Sequence, residues 1–284
     1  MNEIQAKKMI ENELKAFVYE WYSRFDKGTN MEELKPFLPE EVVEFVYPQA
    51  TLTSVTELIN YAEQTFSFIK SSAHYVNEIF IYQIGENKYE IICPHTYHAL
   101  QTTGEYVSMD FIGRMKIETN LKTKNDSSGN FPKILAYKVA LQGQPSSSNQ
   151  AAIDNININK FSFTDAKAFV HNWFANIDKG DADKLMNMTS NGNLDINIMG
   201  NMVENKEQLK GFLLAQKESQ TYSSHTPLNI QVTKKENNFA VNFVLHFEGD
   251  IKEMGQLHLS NITNWNLIEE DGYLKLKNYT LEIL

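Results

Sequence analysis

The sequence predicts an α+β protein made of two tandem copies of one unit, each a bent, mainly antiparallel sheet packed on about three helices. Three observations lead there. The segment 16–28 lies on 168–180 at a constant offset of 152 residues with seven of thirteen positions identical, and the match continues at offset 151 from Val43–Leu58 onto Leu194–Leu209. Self-similarity at a fixed period means one fold used twice. Within each half a helical period comes first and a period of two follows, the order expected of helices packed on one face of an antiparallel sheet. The 284 residues also suit two cores better than one, because domains commonly hold roughly 100–200 residues.

The first helix is read from Phe17, Val18, Trp21, Tyr22 and Phe25, whose spacing covers an apolar arc of about 140°. Phe169, Val170, Trp173, Phe174 and Ile177 repeat it, and both helices stop at Asp-Lys-Gly, where glycine suits a left-handed cap. A short helix follows through Met31, Leu34, Phe37 and Leu38, then a strand, then a helix with Leu58, Tyr61, Ala62, Thr65, Phe66 and Ile69 on one side. Strands are expected at 75–84, 87–99, 104–118 and 133–141, and again at 226–234, 238–248, 255–268 and 273–283. His74 falls on His225, Tyr89–Cys93 falls on Phe239–Phe243 at offset 150, and Gly104 meets Gly255 at offset 151. Residues 142–150 collect Gly, Pro, Ser and Asn, a seam between the halves. The expected division is a first domain 1–142, a linker 143–160 and a second domain 161–284. Residues 121–130, polar and absent from the second half, read as a long loop.

Composition excludes several classes. Net charge is −10 with a pI near 5.2, a field that repels phosphate backbones, so nucleic acid is not an expected partner. One cysteine, Cys93, leaves no internal disulfide, and the opening residues interrupt every apolar run with Lys or Glu. They lack a signal-peptide core, and a cytoplasmic location is expected. No apolar run approaches the ~18 residues of a membrane-spanning helix.

A long helix with an aromatic centre, a short helix, a strand ending near Pro48, another helix, then a strand beginning at His74 and three more: this order resembles the nuclear transport factor 2-like (SnoaL-like) superfamily. The resemblance covers nearly all of both halves and rests on order, lengths and a few positions. It implies two cone-shaped domains with the ligand site in the cone between sheet and helices. Ketosteroid isomerases, polyketide cyclases and small dehydratases of the superfamily place acid and base groups there.

Strand parity then selects what faces each cone. Val43, Phe45 and Tyr47 share one face, as do Leu194, Ile196 and Ile198, while Glu44 and Asp195 point the other way. Tyr47 precedes Pro48, where a ketosteroid-isomerase-like resemblance would want an aspartate. Tyr89, Ile91, Cys93, His95 and Tyr97 share a face in the first half; Phe239, Val241, Phe243, Leu245 and Phe247 do so in the second, whose cone therefore reads as almost wholly apolar. Candidate ligand-binding positions are Trp21, Phe45, Tyr89, Ile91, Cys93, Trp173, Ile196, Phe239, Phe243 and Phe247. Proton-transfer chemistry would fall to His95, with Tyr47 or Tyr97 as oxyanion donor and Asp110 nearby, whose counterpart is taken as Asn261. A buried histidine bonded to a tyrosine is the favoured alternative for His95. His74 and His225 read as structural or sheet-face histidines, and Tyr19 and His171 as exposed or at a pocket rim. His95 and His98 point to opposite faces, so no metal site is expected, and no phosphate-cradling glycine loop implies a cofactor.

The reading leans away from catalysis, toward a binding protein for a small hydrophobic molecule. An isomerase, cyclase or dehydratase acting in the first domain is the alternative. A further one is assembly through the open sheet faces, with the two domains paired as an intramolecular pseudo-dimer.

Overall fold

In the computed structural model, which describes residues 3–27, 31–40, 42–119, 132–147 and 161–284, the chain divides into two units. One is Phe17–Asn157; the other joins Met1–Ala16 to Ile158–Leu284. The division falls inside α1 (Glu3–Asp26), so the first sixteen residues, assigned by sequence to the first domain, go with the second half.

The first unit continues from α1 through a 3-10 helix (Met31–Phe37), β1 (Val42–Tyr47), β2 (Ala50–Ser54) and α2 (Val55–Phe66) to β3 (Ile69–Val76), β4 (Phe80–Gly85), β5 (Lys88–Gln101), β6 (Tyr106–Glu118) and β7 (Lys133–Ser147). Its sheet runs β2-β1-β7-β6-β5-β3, with β4 also on β5, and is antiparallel except where β1 meets β7. The side chain of Ser54 caps α2 by accepting from the Glu57 N–H, which satisfies one of the donors a helix start leaves open, and the Glu57 carboxylate accepts from the Thr53 N–H at 2.7 Å, tying the residue before the cap to the first turn.

The second unit has α3 (Phe163–Lys179), α4 (Ala182–Asn187), β8 (Asp195–Ile198), β9 (Asn201–Val203), α5 (Lys206–Ser219), β10 (Gln220–Lys235), β11 (Asn238–Ile251), β12 (Gly255–Glu270) and β13 (Tyr273–Ile283). The sheet order is β10-β11-β12-β13-β8-β9, again with one parallel pair, β8 on β13. Ser162 and Asp165 form a capping box on α3, and Gly180 ends it at φ 69°, the left-handed cap its sequence announces. The equivalent Gly28, the loop at 121–130 and residues 148–160 lie outside the described residues, while 143–147 of the expected linker continue β7.

Two strands escape the sequence pattern. β2 and β9 are the short return arms of hairpins, and β8 turns into β9 through Met199 (φ 54°) and Gly200 (φ 87°), two successive left-handed residues as a tight hairpin turn requires. The expected strand 75–84 is split: β3 ends at Val76 and β4 starts at Phe80. Its counterpart β10 stays whole but carries a register shift between Leu228 and Gln231, with Asn229 at φ 53°.

Each core lies between the sheet and its long helix. Trp21 and Trp173 are both wholly buried, Trp21 among Phe25, Phe37, Phe45 and Tyr137, and Trp173 among Phe169 and Trp265. As parity expects, Glu44 and Asp195 are exposed, meeting Lys138 at 3.1 Å and the Asn278 amide at 3.0 Å. No helix among the described residues is long and apolar enough to cross a membrane.

Candidate functional site: a cavity with a histidine-aspartate pair

Both units bury a histidine against the aspartate that ends the long helix. In the second unit the Nδ1 of His225 lies 2.5 Å from Asp178 Oδ1, and the His225 backbone N–H donates to Asp178 Oδ2 at 3.1 Å. In the first, His74 Nδ1 lies 2.6 Å from Asp26 Oδ1, which also accepts from the His74 N–H at 2.8 Å. The Asp-Lys-Gly stop is therefore more than a cap: its aspartate turns back from the last helical turn onto β3 in the first unit and β10 in the second.

Of the two readings of His74 and His225, structural or sheet-face, this removes the second. That reading carried parity from the histidines to Glu78, Asn229 and Gln231. The break between β3 and β4 and the bulge in β10 reset the alternation on the way, since an extra residue turns every later side chain to the other face. The available signal was the identity of both residues across the repeats.

The surroundings of the two pairs differ. In the first unit the His74 ring packs on Tyr97, Tyr22 and His95, at centroid distances of 4.8, 4.9 and 5.6 Å. His95 itself is 3% exposed; its Nδ1–H donates to the Cys93 carbonyl at 3.0 Å, and the Tyr22 hydroxyl, which bonds Tyr137 at 2.9 Å, lies 3.3 Å from the same nitrogen. Burial, with His74 adding to it, pushes His95 down to about 3, against the pull of the Cys93 carbonyl. A ring held this way stays neutral near pH 7. Tyr97 is pushed up to about 12 by burial, and Tyr47, raised by the same cause, stacks on Tyr61 at 5.0 Å. Phe45, Tyr89, Ile91 and Cys93 are buried packing.

Asp110 is not among these groups. It is exposed and accepts from Thr96 Oγ1 at 2.6 Å on the outer face. The strand register gives the reason: His95 pairs with Phe111 and Leu245 with Asn261, so the repeats align at offset 150 throughout this hairpin. Asn261 corresponds to Phe111, and Asp110 to Ser260. The Gly104–Gly255 agreement belongs to two differently shaped turns, and the one-residue slip it suggested exchanges inside for outside.

In the second unit the rings thin out. Phe174 replaces Tyr22, Leu245 replaces His95 and Phe247 replaces Tyr97, and a cavity of about 250 Å³ opens between the sheet, α3 and α5. Trp173, Phe174, Phe212, Leu245 and Phe247 supply apolar wall, and His225 and Asn261 line it as well. Of the predicted ligand positions here, Trp173 and Phe247 line the cavity, while Ile196, Phe239 and Phe243 belong to the packed core. The cone is almost wholly apolar, as expected, with His225 and Asn261 among the polar residues on its lining.

Asp178 Oδ1 accepts from Nδ1 of His225, which sets the tautomer and leaves Nε2 as the ring position open to a second partner; Nε2 has no hydrogen-bond partner among the described residues. Burial raises the Asp178 carboxyl and its bonds to His225 oppose that rise. The main chain behind the pair is held too: Asn12 Nδ2 donates to the His225 carbonyl at 2.8 Å, and Gln5 Nε2 to the Asp178 carbonyl at 2.5 Å. Asn12 Oδ1 in turn accepts from His171 Nδ1 at 2.9 Å. This accounts for the burial of His171, which sequence placed at the surface; Tyr19 is likewise buried. Among the described residues no cluster of His, Cys, Asp and Glu could hold a metal ion.

One substitution isolates the hydroxyl network of the first unit. A Cβ at Gly113 would stand 2.8 Å from the Tyr22 hydroxyl and 3.0 Å from the Tyr137 ring; the second unit has Thr263 at this place and Phe174 in place of Tyr22. Gly113→Ala is expected to cost about 1–3 kcal/mol and Tyr22→Phe to restore part of it, which urea unfolding of the two single variants and the double variant measures.

No family model matches the chain, and no curated protein matches it. Solved structures do. A nuclear transport factor 2-like superfamily protein from Salmonella enterica is 10% identical over 49% of this chain and 94% of its own, with a TM-score of 0.42. A candidate scytalone dehydratase from Novosphingobium aromaticivorans is 13% identical over 48% and 85%, at 0.41, and a type 2 hexachlorocyclohexane dehydrochlorinase is 9% identical over 51% and 87%, at 0.38. Each unit is an α+β assembly of helices packed on one open, mixed sheet.

Proposed function

We propose that the second unit binds a small hydrophobic molecule in its cone and removes a proton from it, with His225 as the base and Asp178 behind it. The reading is carried by one observation: a largely apolar cavity whose lining includes a histidine with its second nitrogen unpartnered and its tautomer set by a buried carboxylate. In the step, a C–H bond of the ligand breaks, the proton goes to Nε2 of His225, and the electron pair stays on the ligand. Return of the proton at another carbon gives isomerisation; use of that pair to form a C=C bond, as a leaving group on the next carbon departs with the electrons of its own bond, gives elimination.

The first unit is the weaker candidate for this chemistry, because His95 is enclosed by the rings of Tyr22, His74 and Phe111. An engineered cavity of ~150 Å³ accepts benzene, so about 250 Å³ suits one or two rings. Calorimetric titration with naphthalene and with the bicyclic ketone 1-tetralone is expected to give binding, and Leu245→Trp to abolish it by filling the cone. Equal binding to wild type and Leu245→Trp would place the ligand elsewhere and end this proposal.

A further inference from the structure

The cavity has a second polar feature that proton abstraction does not use. Asn261 sits on an inward position of β12 opposite Leu245, is 2% exposed and lines the cavity, yet its Oδ1 has no hydrogen-bond partner among the described residues. Leaving a buried amide oxygen unpaired destabilises a fold, and a leucine there would avoid it. The first unit does avoid it, with Phe111 at this place.

Resting on the reading of the cone as a binding site, we propose that Asn261 is the polar anchor of the ligand, and that the ligand class is a neutral one- or two-ring molecule carrying a hydroxyl or carbonyl oxygen. A carboxamide both donates and accepts, so it can meet either group. Neutrality follows from the walls: no Lys or Arg is among the residues lining the cavity, and an anion there would be buried without a counter-charge. Size follows from the sheet. His225 on β10 and Asn261 on β12 are separated by β11, roughly 10 Å across at about 4.8 Å per strand. Both residues line the cavity, and a one- or two-ring ligand fills the space between them with its oxygen at Asn261 and the carbon beside its carbonyl turned toward His225.

The test compares naphthalene, 1-naphthol and 1-tetralone on the full chain and on Asn261→Leu and Asn261→Ala, by calorimetric titration. The oxygenated probes are less hydrophobic than naphthalene, so transfer from water alone favours naphthalene. At least tenfold tighter binding of 1-naphthol or 1-tetralone by the wild type is expected, with the preference lost or reversed in both variants. Leu keeps the volume and Ala leaves room, so loss in both assigns the effect to the carboxamide and not to packing. Naphthalene binding as tightly as the oxygenated probes, or an undiminished preference in either variant, overturns the anchor while leaving the cone a binding site. No binding by any of the three overturns the cone reading itself, and the anchor with it.

Discussion

His225→Asn is expected to lower the rate of proton exchange from a bound ketone by about 10²–10⁴-fold, the usual contribution of a positioned general base, while its affinity changes only a few-fold. The amide of Asn keeps a hydrogen bond toward Asp178 but offers no basic nitrogen where Nε2 stands. Asp178→Asn is expected to act almost as strongly by a different route. A carboxamide in place of the carboxylate no longer demands a proton on Nδ1, so the imidazole loses the tautomer that bares Nε2, and the His225 N–H loses its Oδ2 acceptor. Deuterium uptake at the carbon next to the carbonyl of 1-tetralone, followed by NMR in D₂O, reads both effects. His74→Asn is the control: that ring is packed among Tyr22, Tyr97 and His95, and exchange is expected to stay at the wild-type rate. If His74→Asn stops exchange and His225→Asn does not, the first unit does the chemistry and the assignment is reversed.

The contrast between the two pairs marks what a sequence of this kind discloses. Apolar periodicity located the long helices, the central tryptophans and the strands, because burial of a face is a local pattern repeated over many residues. The repeat gave the common fold, because a shared order of elements survives small shifts in offset. What failed was whatever turned on a single residue of register. The offset of 151 suggested by Gly104 and Gly255 aimed Asp110 inward and gave it Asn261 as a partner, whereas the ladder runs at 150 and exposes Asp110. Likewise the bulge at Leu228–Gln231 rests on Asn229 adopting φ 53°, which no alternation of side chains signals. The burial of His171 depends on Asn12, 159 positions away in sequence, and spacing has no reach of that length. The Asp-His pairs were visible only as identities repeated between halves; their meaning required knowing that the end of the helix meets the start of the sheet.

Acid is expected to destabilise each unit through a histidine buried in neutral form. The His95 imidazole is held down to about 3 in the folded first unit, chiefly by burial, while in the unfolded chain it titrates near 6.5. Between those values the unfolded state binds the extra proton, so stability is level above about pH 6.5 and falls as pH drops below it. At about 1.4 kcal/mol per pH unit, moving from pH 6.5 to 5 costs the first unit roughly 2 kcal/mol from this residue. His171 is lowered in the same direction by burial and by Lys15 and Lys167, and it imposes the same sign on the second unit. His95→Leu, which imports the residue the second unit uses as Leu245, is expected to flatten the dependence of the first unit alone. Urea titrations at pH 7.5 and 5, followed by the amide signals of Cys93 in one core and Val241 in the other, separate the two. The Cys93 midpoint is expected to shift less with pH in the variant than in the wild type, and the Val241 midpoint to shift equally in both. An unchanged shift at Cys93 would mean that His95 is protonated inside the fold, and with it that the ring cluster of the first unit admits water.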